Sequence, residues 1–329
     1  AQRHRQAAAR SITPVCADLF GQGKAGGQRL NQAWLEQRER ANDPALRFLV
    51  WLALALGRPA GRLLLYPVCL YFLVFSVKGR AASRQYLGKV RNRPPHLTDL
   101  FRHYYSFATV ALDRMFLLRN RFAQFDVRVF GQDILEEAKA RDEPCFLLGA
   151  HLGSFEALHV FGQEHNMNVT MIMFEHGNRN MNALARAIGP DLEKAVIGLG
   201  SPDSIIKVQE RFERGDWVGM LGDRRLHASG AVSVPFLGES AALPTAPFRI
   251  AALTGRPVVL MVALYRGANR YDLHFERLME MPKLDRSRRD ASIRELAAQY
   301  AQRLEHYCRL APYNWFNFYD FWADENARP

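Results

Sequence analysis

The pattern of apolar and polar positions divides the chain into three regions. Residues 1–45 are polar and rich in Gly, Ala, Gln and Arg, which is typical of a flexible or partly helical segment. Residues 46–122 open with two apolar runs, at 48–56 and 63–77, and continue into a basic stretch with helical spacing. Residues 123–329 alternate short apolar runs with amphipathic helical segments. We therefore predict an N-terminal segment, an apolar and basic helical region, and one α/β domain.

The apolar region raises the question of membrane contact. Neither run reaches the ~20 residues that span a bilayer, and Arg58 and Arg62 lie between the two runs. A helical hairpin in one leaflet or an interfacial anchor fits this pattern better than a clean span. The cations of residues 78–93 predict contact with anionic headgroups on the cytoplasmic side. A buried helix pair in a soluble domain is the alternative.

The rest of the pattern predicts a mainly parallel central sheet flanked by helices, because strands alternate with helices. Asp133 is a candidate N-cap for one of those helices. We predict strands at 125–130, 145–149, 169–174, 194–199, 217–221, 232–236, 257–265 and 271–275. We predict helices at 97–122, 133–141, 157–165, 181–188, 203–214, 245–254 and 288–310.

Composition and charge limit the classes of partner that the protein is expected to bind. The chain has 329 residues, a net charge of +11 and 48% hydrophobic residues, which excludes a disordered chain. The charge calls for an anionic partner, but the cations are dispersed and no nucleic-acid-binding motif is present, so we expect no nucleic acid. The four cysteines form no CxxC pair and the histidines lack metal-ligand spacing. We expect a reducing compartment, no metal and no secretory signal.

Candidate chemistry lies where three predicted strands end, and in parallel sheets these ends share one edge, where ligands bind. The strand at 145–149 precedes His151 and Glu156, the strand at 169–174 precedes Arg179 and Asn180, and the strand at 217–221 precedes Asp223 and Arg224.

His151 and Glu156 form the strongest candidate pair. An imidazole accepts a proton near neutral pH, and a neighbouring carboxylate fixes its tautomer. Two side chains five positions apart point ~140° away from each other on a regular helix. The pair therefore meets only if His151 precedes the helix. Gly153 suits such a turn, and Ser154 suits the helix N-cap.

The other candidates have two interpretations each. Asp223 and Arg224 form either a structural ion pair or a substrate contact, and a guanidinium suits an acceptor phosphate or an oxyanion. Arg179 and Asn180 form either a substrate-binding turn or a turn with no ligand.

The motif His151-x4-Glu156 resembles the H-x4-D/E motif of glycerolipid-type acyltransferases. In its wider context the chain is similar to the bacterial lipid A late acyltransferases, the lauroyl and myristoyl transferases. Besides that motif, the similarity includes Gly222-Asp223-Arg224, residues 234–238 and the aromatic residues 314–318, in the same order.

The resemblance implies an enzyme at the cytoplasmic face of the bacterial inner membrane. It would move a fatty acyl chain from acyl carrier protein or acyl-CoA to a hydroxyl or amine of a lipid or glycolipid acceptor. His151 would be the general base, Glu156 would orient it, and Gly153, Ser154, Arg179, Asn180, Asp223 and Arg224 would bind substrate. No acyl-enzyme is expected, and no cofactor beyond the phosphopantetheine or CoA of the donor.

The chain departs from the family pattern in three places, one of which is Glu156, where the wider superfamily more commonly has Asp although Glu occurs in this branch. Its turn has the sequence Gly-Asp-Arg-Arg, and Arg58 and Arg62 interrupt the apolar stretch. The reaction class is unaffected, but the identity of the acceptor stays open. A thioesterase that uses the same pair on water, and a non-catalytic membrane protein that binds lipid or carrier, are the alternative functions.

Overall fold

The fold is known from a computed structural model that describes residues 56–119, 121–174, 196–199, 203–225, 230–279 and 289–323. The predicted helix at 181–188 lies outside these residues. The helices are α1 (Arg58–Phe75), α2 (Val77–Arg91), α3 (Leu97–Leu117), α4 (Gln132–Ala140), α5 (Phe155–Glu164), α6 (Asp203–Glu213), α7 (Thr245–Thr254) and α8 (Arg289–Leu310). The strands are β1 (Asp126–Phe130), β2 (Phe146–Gly149), β3 (Val169–Phe174), β4 (Val196–Leu199), β5 (Trp217–Leu221), β6 (Ala231–Phe236), β7 (Glu239–Pro244), β8 (Val258–Gly267) and β9 (Arg270–Met279).

Seven strands form one central sheet in the order β1-β9-β8-β2-β5-β3-β4. Every neighbouring pair is parallel except β8 and β9, which form an antiparallel hairpin. The predicted α/β architecture with a mainly parallel sheet is confirmed.

A separate two-stranded sheet, β6 paired with β7, contains a strand that the sequence analysis missed. Both residues of its turn, Leu237 and Gly238, have positive φ, at 51° and 84°. A two-residue turn of this kind usually carries Asn or Asp before Gly, so Leu-Gly gives no hairpin signal.

The central strand β2 is buried on both faces. Phe146 and Leu148 belong to one hydrophobic core, whereas Leu147 belongs to the core on the other face. Since successive side chains of a strand point to opposite faces, a sheet covered by helices on both sides needs such an uninterrupted apolar run. The uninterrupted apolar run predicted this strand because burial on both faces requires it.

Helix α1 differs from the expected broken apolar segment. It begins at Arg58, directly after Gly57, so Arg58 and Arg62 lie in the first two turns of the helix that contains the second apolar run. Residues 48–55 of the first apolar run lie outside the described residues. Arg58 forms a bidentate ion pair with buried Asp113 of α3, with Nε–Oδ1 and Nη2–Oδ2 distances of 2.6 and 2.8 Å. The charge of Arg58 is therefore paired within the protein. The spacing of residues in the sequence does not predict this contact.

Two predicted N-caps have different outcomes. Asp133 is not a cap, because α4 begins at Gln132 and Gly131, at φ 76°, occupies the cap position. Ser154 is confirmed as the cap of α5, since its Oγ accepts a hydrogen bond from the backbone N–H of Ala157 at 3.2 Å.

The turn after β2 crosses the neighbouring strand β8 closely at Gly153. Gly153 has φ +73°, and a Cβ built there lies 1.7 Å from the carbonyl oxygen of Ala263. The next amide, that of Ser154, donates to the same oxygen at 2.9 Å. Only glycine fits this turn, which aligns β2 with the helix that follows it.

We predict that Gly153→Ala destabilises the protein more than Gly215→Ala does. Gly215 is the matched control, since it also has positive φ, at 82°, but a Cβ there meets nothing within 4 Å. The control loses about 1–2 kcal/mol from backbone strain, and Gly153→Ala loses about 1–3 kcal/mol more from the clash. Urea unfolding measures both changes, and equal losses would contradict the close approach.

Candidate active site

The ends of β2 and β5 meet at one edge of the sheet. The two strands are parallel neighbours, and the N–H of Gly222 donates to the carbonyl of Gly149 at 2.9 Å just beyond them. The residues that follow, His151 and Asp223, are therefore in contact. The predicted convergence holds for these two strand ends, whereas Arg179 and Asn180 lie outside the described residues.

Asp223 holds His151 in one orientation. Its Oδ1 lies 2.8 Å from Nδ1 of the imidazole, and its Oδ2 accepts from the backbone N–H of His151 at 3.1 Å. Because an ionised carboxylate only accepts, Nδ1 carries the proton and Nε2 of the neutral ring has a lone pair. The His151 side chain is 30% exposed, so the ring is within reach of a ligand.

The carboxylate of Asp223 is fully buried, but both of its oxygens accept hydrogen bonds. Its Oδ2 also accepts from Nε1 of Trp315 at 2.9 Å and from Nδ2 of Asn317 at 3.0 Å. Burial alone would raise the pKa of Asp223, but His151, the charge of Arg224 and the Trp315 hydrogen bond hold that pKa well below its usual range. Asp223 is therefore a fixed negative charge behind the imidazole.

Sequence reasoning missed Trp315 and Asn317 as site residues. Trp315 belongs to an aromatic run, a pattern typical of core packing, and it is fully buried. Only the tertiary structure brings this segment to the sheet edge, where the N–H of Phe316 donates to the carbonyl of His151 at 2.9 Å. A polar Asn inside an aromatic run was the signal available in the sequence.

Glu156 does not have the position that we expected. It lies on the first turn of α5, where Oε1 forms an ion pair with Arg114 of α3 and Oε2 accepts from Ser154 Oγ at 3.3 Å. The expectation that Glu156 fixes the His151 tautomer is wrong, because Asp223 occupies Nδ1. The turn that frees His151 from the helix leaves Glu156 facing α3.

Arg224 is held by the C-terminal segment rather than left free at the surface. Its Nε donates to Oδ1 of Asn317 and its Nη2 to the carbonyl of Phe316, both at 2.8 Å. Burial and the charge of Arg224 lower the pKa of His151, and the opposing effect of Asp223 does not restore its ordinary value. The imidazole is therefore neutral, and available as a base, at neutral pH.

The expected substrate contacts of Gly153 and Ser154 do not involve their amides. The N–H of Gly153 donates to the carbonyl of Asn314, and that of Ser154 donates to Ala263, each at 2.9 Å. Both residues shape the turn that carries His151. Among the described residues, no group of three His, Cys, Asp or Glu side chains is placed to hold a metal ion.

Comparison with known proteins identifies a family. Residues 105–323 match the model of a family described as bacterial lipid A biosynthesis acyltransferase. The match covers most of the chain and includes His151, Glu156, Asp223 and the C-terminal segment around Asn317. No curated protein matches the chain.

We predict that two substitutions shift the pKa of His151 in opposite directions. Asp223→Asn removes a negative charge and lowers that pKa further, whereas Arg224→Gln removes a positive charge and raises it. Arg224→Lys keeps the charge and leaves the pKa near that of the wild type. NMR titration of ¹⁵N-histidine-labelled protein measures these shifts, and shifts of the same sign in both variants would contradict this electrostatic account.

Proposed function

Because the chain belongs to the bacterial lipid A biosynthesis acyltransferase family, we propose that it transfers a fatty acyl chain from a thioester donor to a lipid or glycolipid acceptor. Membership makes it an acyltransferase with an acyl donor and a lipid acceptor. The observation that carries the mechanism is the buried Asp223 hydrogen-bonded to Nδ1 of His151 at 2.8 Å.

In the proposed mechanism His151 is the general base. Nε2 takes the proton from the acceptor hydroxyl or amine as that group attacks the thioester carbonyl carbon. Asp223 stabilises the imidazolium that forms and keeps Nδ1 protonated. The protonated ring then returns its proton to the departing thiolate. Because a thioester is already activated, no acyl-enzyme is required.

The proposed donor is acyl carrier protein or acyl-CoA, and we propose that the reaction uses no cofactor beyond the phosphopantetheine or CoA of that donor. The proposed acceptor is a lipid that carries a free hydroxyl or amine. Arg224 is proposed to contact the acceptor, since it lies beside the dyad. Arg179 and Asn180 stay candidates for acceptor binding from the sequence alone.

We propose that α1 holds the enzyme on the cytoplasmic face of the inner membrane. It is one described helix that is long and apolar enough to cross a bilayer, by length and composition only. One side of it packs through Cys69 and Leu73, while large apolar side chains at helical spacing on the other side are exposed. These exposed residues are Leu63, Tyr66, Leu70, Tyr71, Val74 and Phe75.

Contacts along α1 favour an interfacial position over a span. Arg58 is paired with Asp113 at one end, and Arg80 of α2 donates to the carbonyls of Leu73 and Val74 at the other, at 2.7 and 2.9 Å. A helix that packs lengthwise on the domain and exposes one apolar stripe suits the headgroup region.

We predict that His151→Ala lowers the rate of acyl transfer by about 10³-fold or more, because the base is lost. The control is His306→Ala, which removes an exposed histidine on α8. The assay follows labelled acyl chains from acyl carrier protein or CoA into lipid, with folding checked by circular dichroism. Full transfer by His151→Ala would contradict the mechanism, and release of free fatty acid without acylated lipid would favour a thioesterase.

We predict that replacing Leu63, Leu70 and Val74 by Ser weakens partition into anionic vesicles by about tenfold or more, since apolar area is lost from the bilayer contact. The matched control replaces Phe130, Ile206 and Leu310, which are exposed elsewhere on the surface. Vesicle sedimentation at two salt concentrations measures partition. Partition that stays the same after the α1 substitutions, without anionic lipid and at either salt concentration would contradict the proposed surface.

A further inference from the structure

A second histidine, His103 of α3, lies among aromatic side chains and has no exposed surface. Its ring stacks on that of Phe318, with the ring centroids 4.6 Å apart, and lies 5.5 Å from the ring of Tyr86. Burial lowers the pKa of His103 to about 4, so its imidazole is neutral at neutral pH. No substrate reaches such a ring, and any influence on the reaction passes through the neighbours of His103.

Both ring nitrogens of His103 are hydrogen-bonded. Nε2 lies 2.8 Å from the carbonyl oxygen of Trp315, and Nδ1 lies 2.8 Å from Oγ of the buried Ser83 on α2. Because a carbonyl oxygen only accepts, Nε2 carries the proton, and Nδ1 of the neutral ring accepts from the Ser83 hydroxyl. A phenyl ring at this position would keep the aromatic contacts but would lose both hydrogen bonds.

The peptide group between Trp315 and Phe316 joins His103 to His151. Its carbonyl oxygen accepts from His103, and its N–H donates to the carbonyl oxygen of His151 at 2.9 Å. Since the peptide is trans, these two groups point in opposite directions, and one planar unit bridges the two histidines. Hydrogen bonds in such a chain polarise one another, so the bond from His103 strengthens the bond to His151.

Trp315 also connects this peptide group to the carboxylate behind the imidazole. Its Nε1 donates to Oδ2 of Asp223 at 2.9 Å, and the same oxygen accepts from the backbone N–H of His151 at 3.1 Å. A shift of Trp315 would therefore displace both the carboxylate that holds Nδ1 of His151 and the backbone that carries the ring. The hydrogen bond from His103 restrains Trp315 at its carbonyl oxygen.

We propose that His103 is a positioning residue for His151, which it holds through the peptide group between Trp315 and Phe316. The inference rests on the proposed acyl transfer, in which His151 is the general base. Proton transfer depends strictly on geometry, because a displacement of about 1 Å can lower a rate by about 10²-fold. In this arrangement Ser83 fixes the tautomer of His103, and His103 fixes the peptide group that contacts His151.

Two amide variants of His103 separate the roles of its two nitrogens. His103→Gln brings an amide N–H to the position of Nε2 and can still donate to Trp315, whereas the shorter His103→Asn reaches only the position of Nδ1, beside Ser83. Both variants remove the ring and its stacking. We expect the Gln variant to keep kcat within about threefold of the wild type. We expect the Asn variant to lose about 10–10²-fold in kcat, with KM within about threefold.

Ser83→Ala is the matched control, because it removes the hydrogen bond to Nδ1 but leaves the Nε2–H donor in place. We expect it to lower the unfolding temperature, as His103→Asn does, and to keep kcat within about threefold of the wild type. Equal losses of kcat in the Gln and Asn variants, or the loss of the Asn variant repeated in Ser83→Ala, would overturn the inference. A general loss of stability would then account for the effect.

NMR of ¹⁵N-histidine-labelled protein tests the same contact without an activity assay. In the wild type and in His103→Gln we expect His151 as a single neutral tautomer, protonated at Nδ1. In His103→Asn we expect a mixture of both tautomers, because the ring is no longer held against Asp223. A His151 tautomer that stays single in the Asn variant, or wild-type His103 protonated at Nδ1, would overturn the inference.

Failure of the inference is distinct from failure of the proposed function. Wild-type protein that transfers no acyl chain to any lipid overturns the proposed function, and the tautomer of His151 in His103→Asn still decides the positioning role. Wild-type transfer with His103→Asn fully active overturns the positioning role alone. If thermal unfolding shows that the Asn variant does not fold, the Gln variant carries the test, and a tenfold loss of its kcat overturns the inference.

Discussion

A buried negative charge at the end of a parallel sheet organises the active site. Asp223 has no exposed surface, and an unpaired carboxylate in that position would be too costly to keep. Its oxygens accept from the ring and the backbone of His151, from Trp315 and from Asn317. Three separate segments of the chain must therefore be in place before the charge can be buried, and the same contacts orient the imidazole.

The C-terminal segment follows from this requirement. Trp315 and Phe316 pair with the turn after β2, and Arg224 binds back to Phe316 and Asn317. The aromatic residues exclude water from Asp223 while one indole N–H and one amide satisfy it. The low polarity of this environment strengthens these hydrogen bonds and also favours the neutral form of His151. The same packing therefore accounts for the fixed carboxylate of Asp223 and for the imidazole that can act as a base.

The sequence predicted what local physics determines. The buried strand β2, the cap Ser154 and the turn glycine Gly153 each have a signal within a few residues, and the structure has them as expected. Partner choice was not predictable in this way. The spacing of His151 and Glu156 suggested a pair, but strand order brings Asp223 to the imidazole and helix packing brings Arg114 to the glutamate. Such long-range contacts depend on topology, which no local pattern encodes.

The net positive charge of the chain does not show which basic side chains are available to a partner. Within the cationic stretch of α2 and the residues after it, Arg91 and Arg93 pair with buried Asp99, and Lys89 pairs with Glu239. These three cations pair with two carboxylates, so most of their charge is matched within the protein and attracts a headgroup only weakly.

The exposed cations of that stretch, Lys78 and Arg84, lie on the half of α2 that directly follows the apolar stripe of α1. Positive charge next to the apolar face of an interfacial helix attracts anionic headgroups. Local placement, rather than the net value of +11, therefore supports the membrane surface proposed for this enzyme.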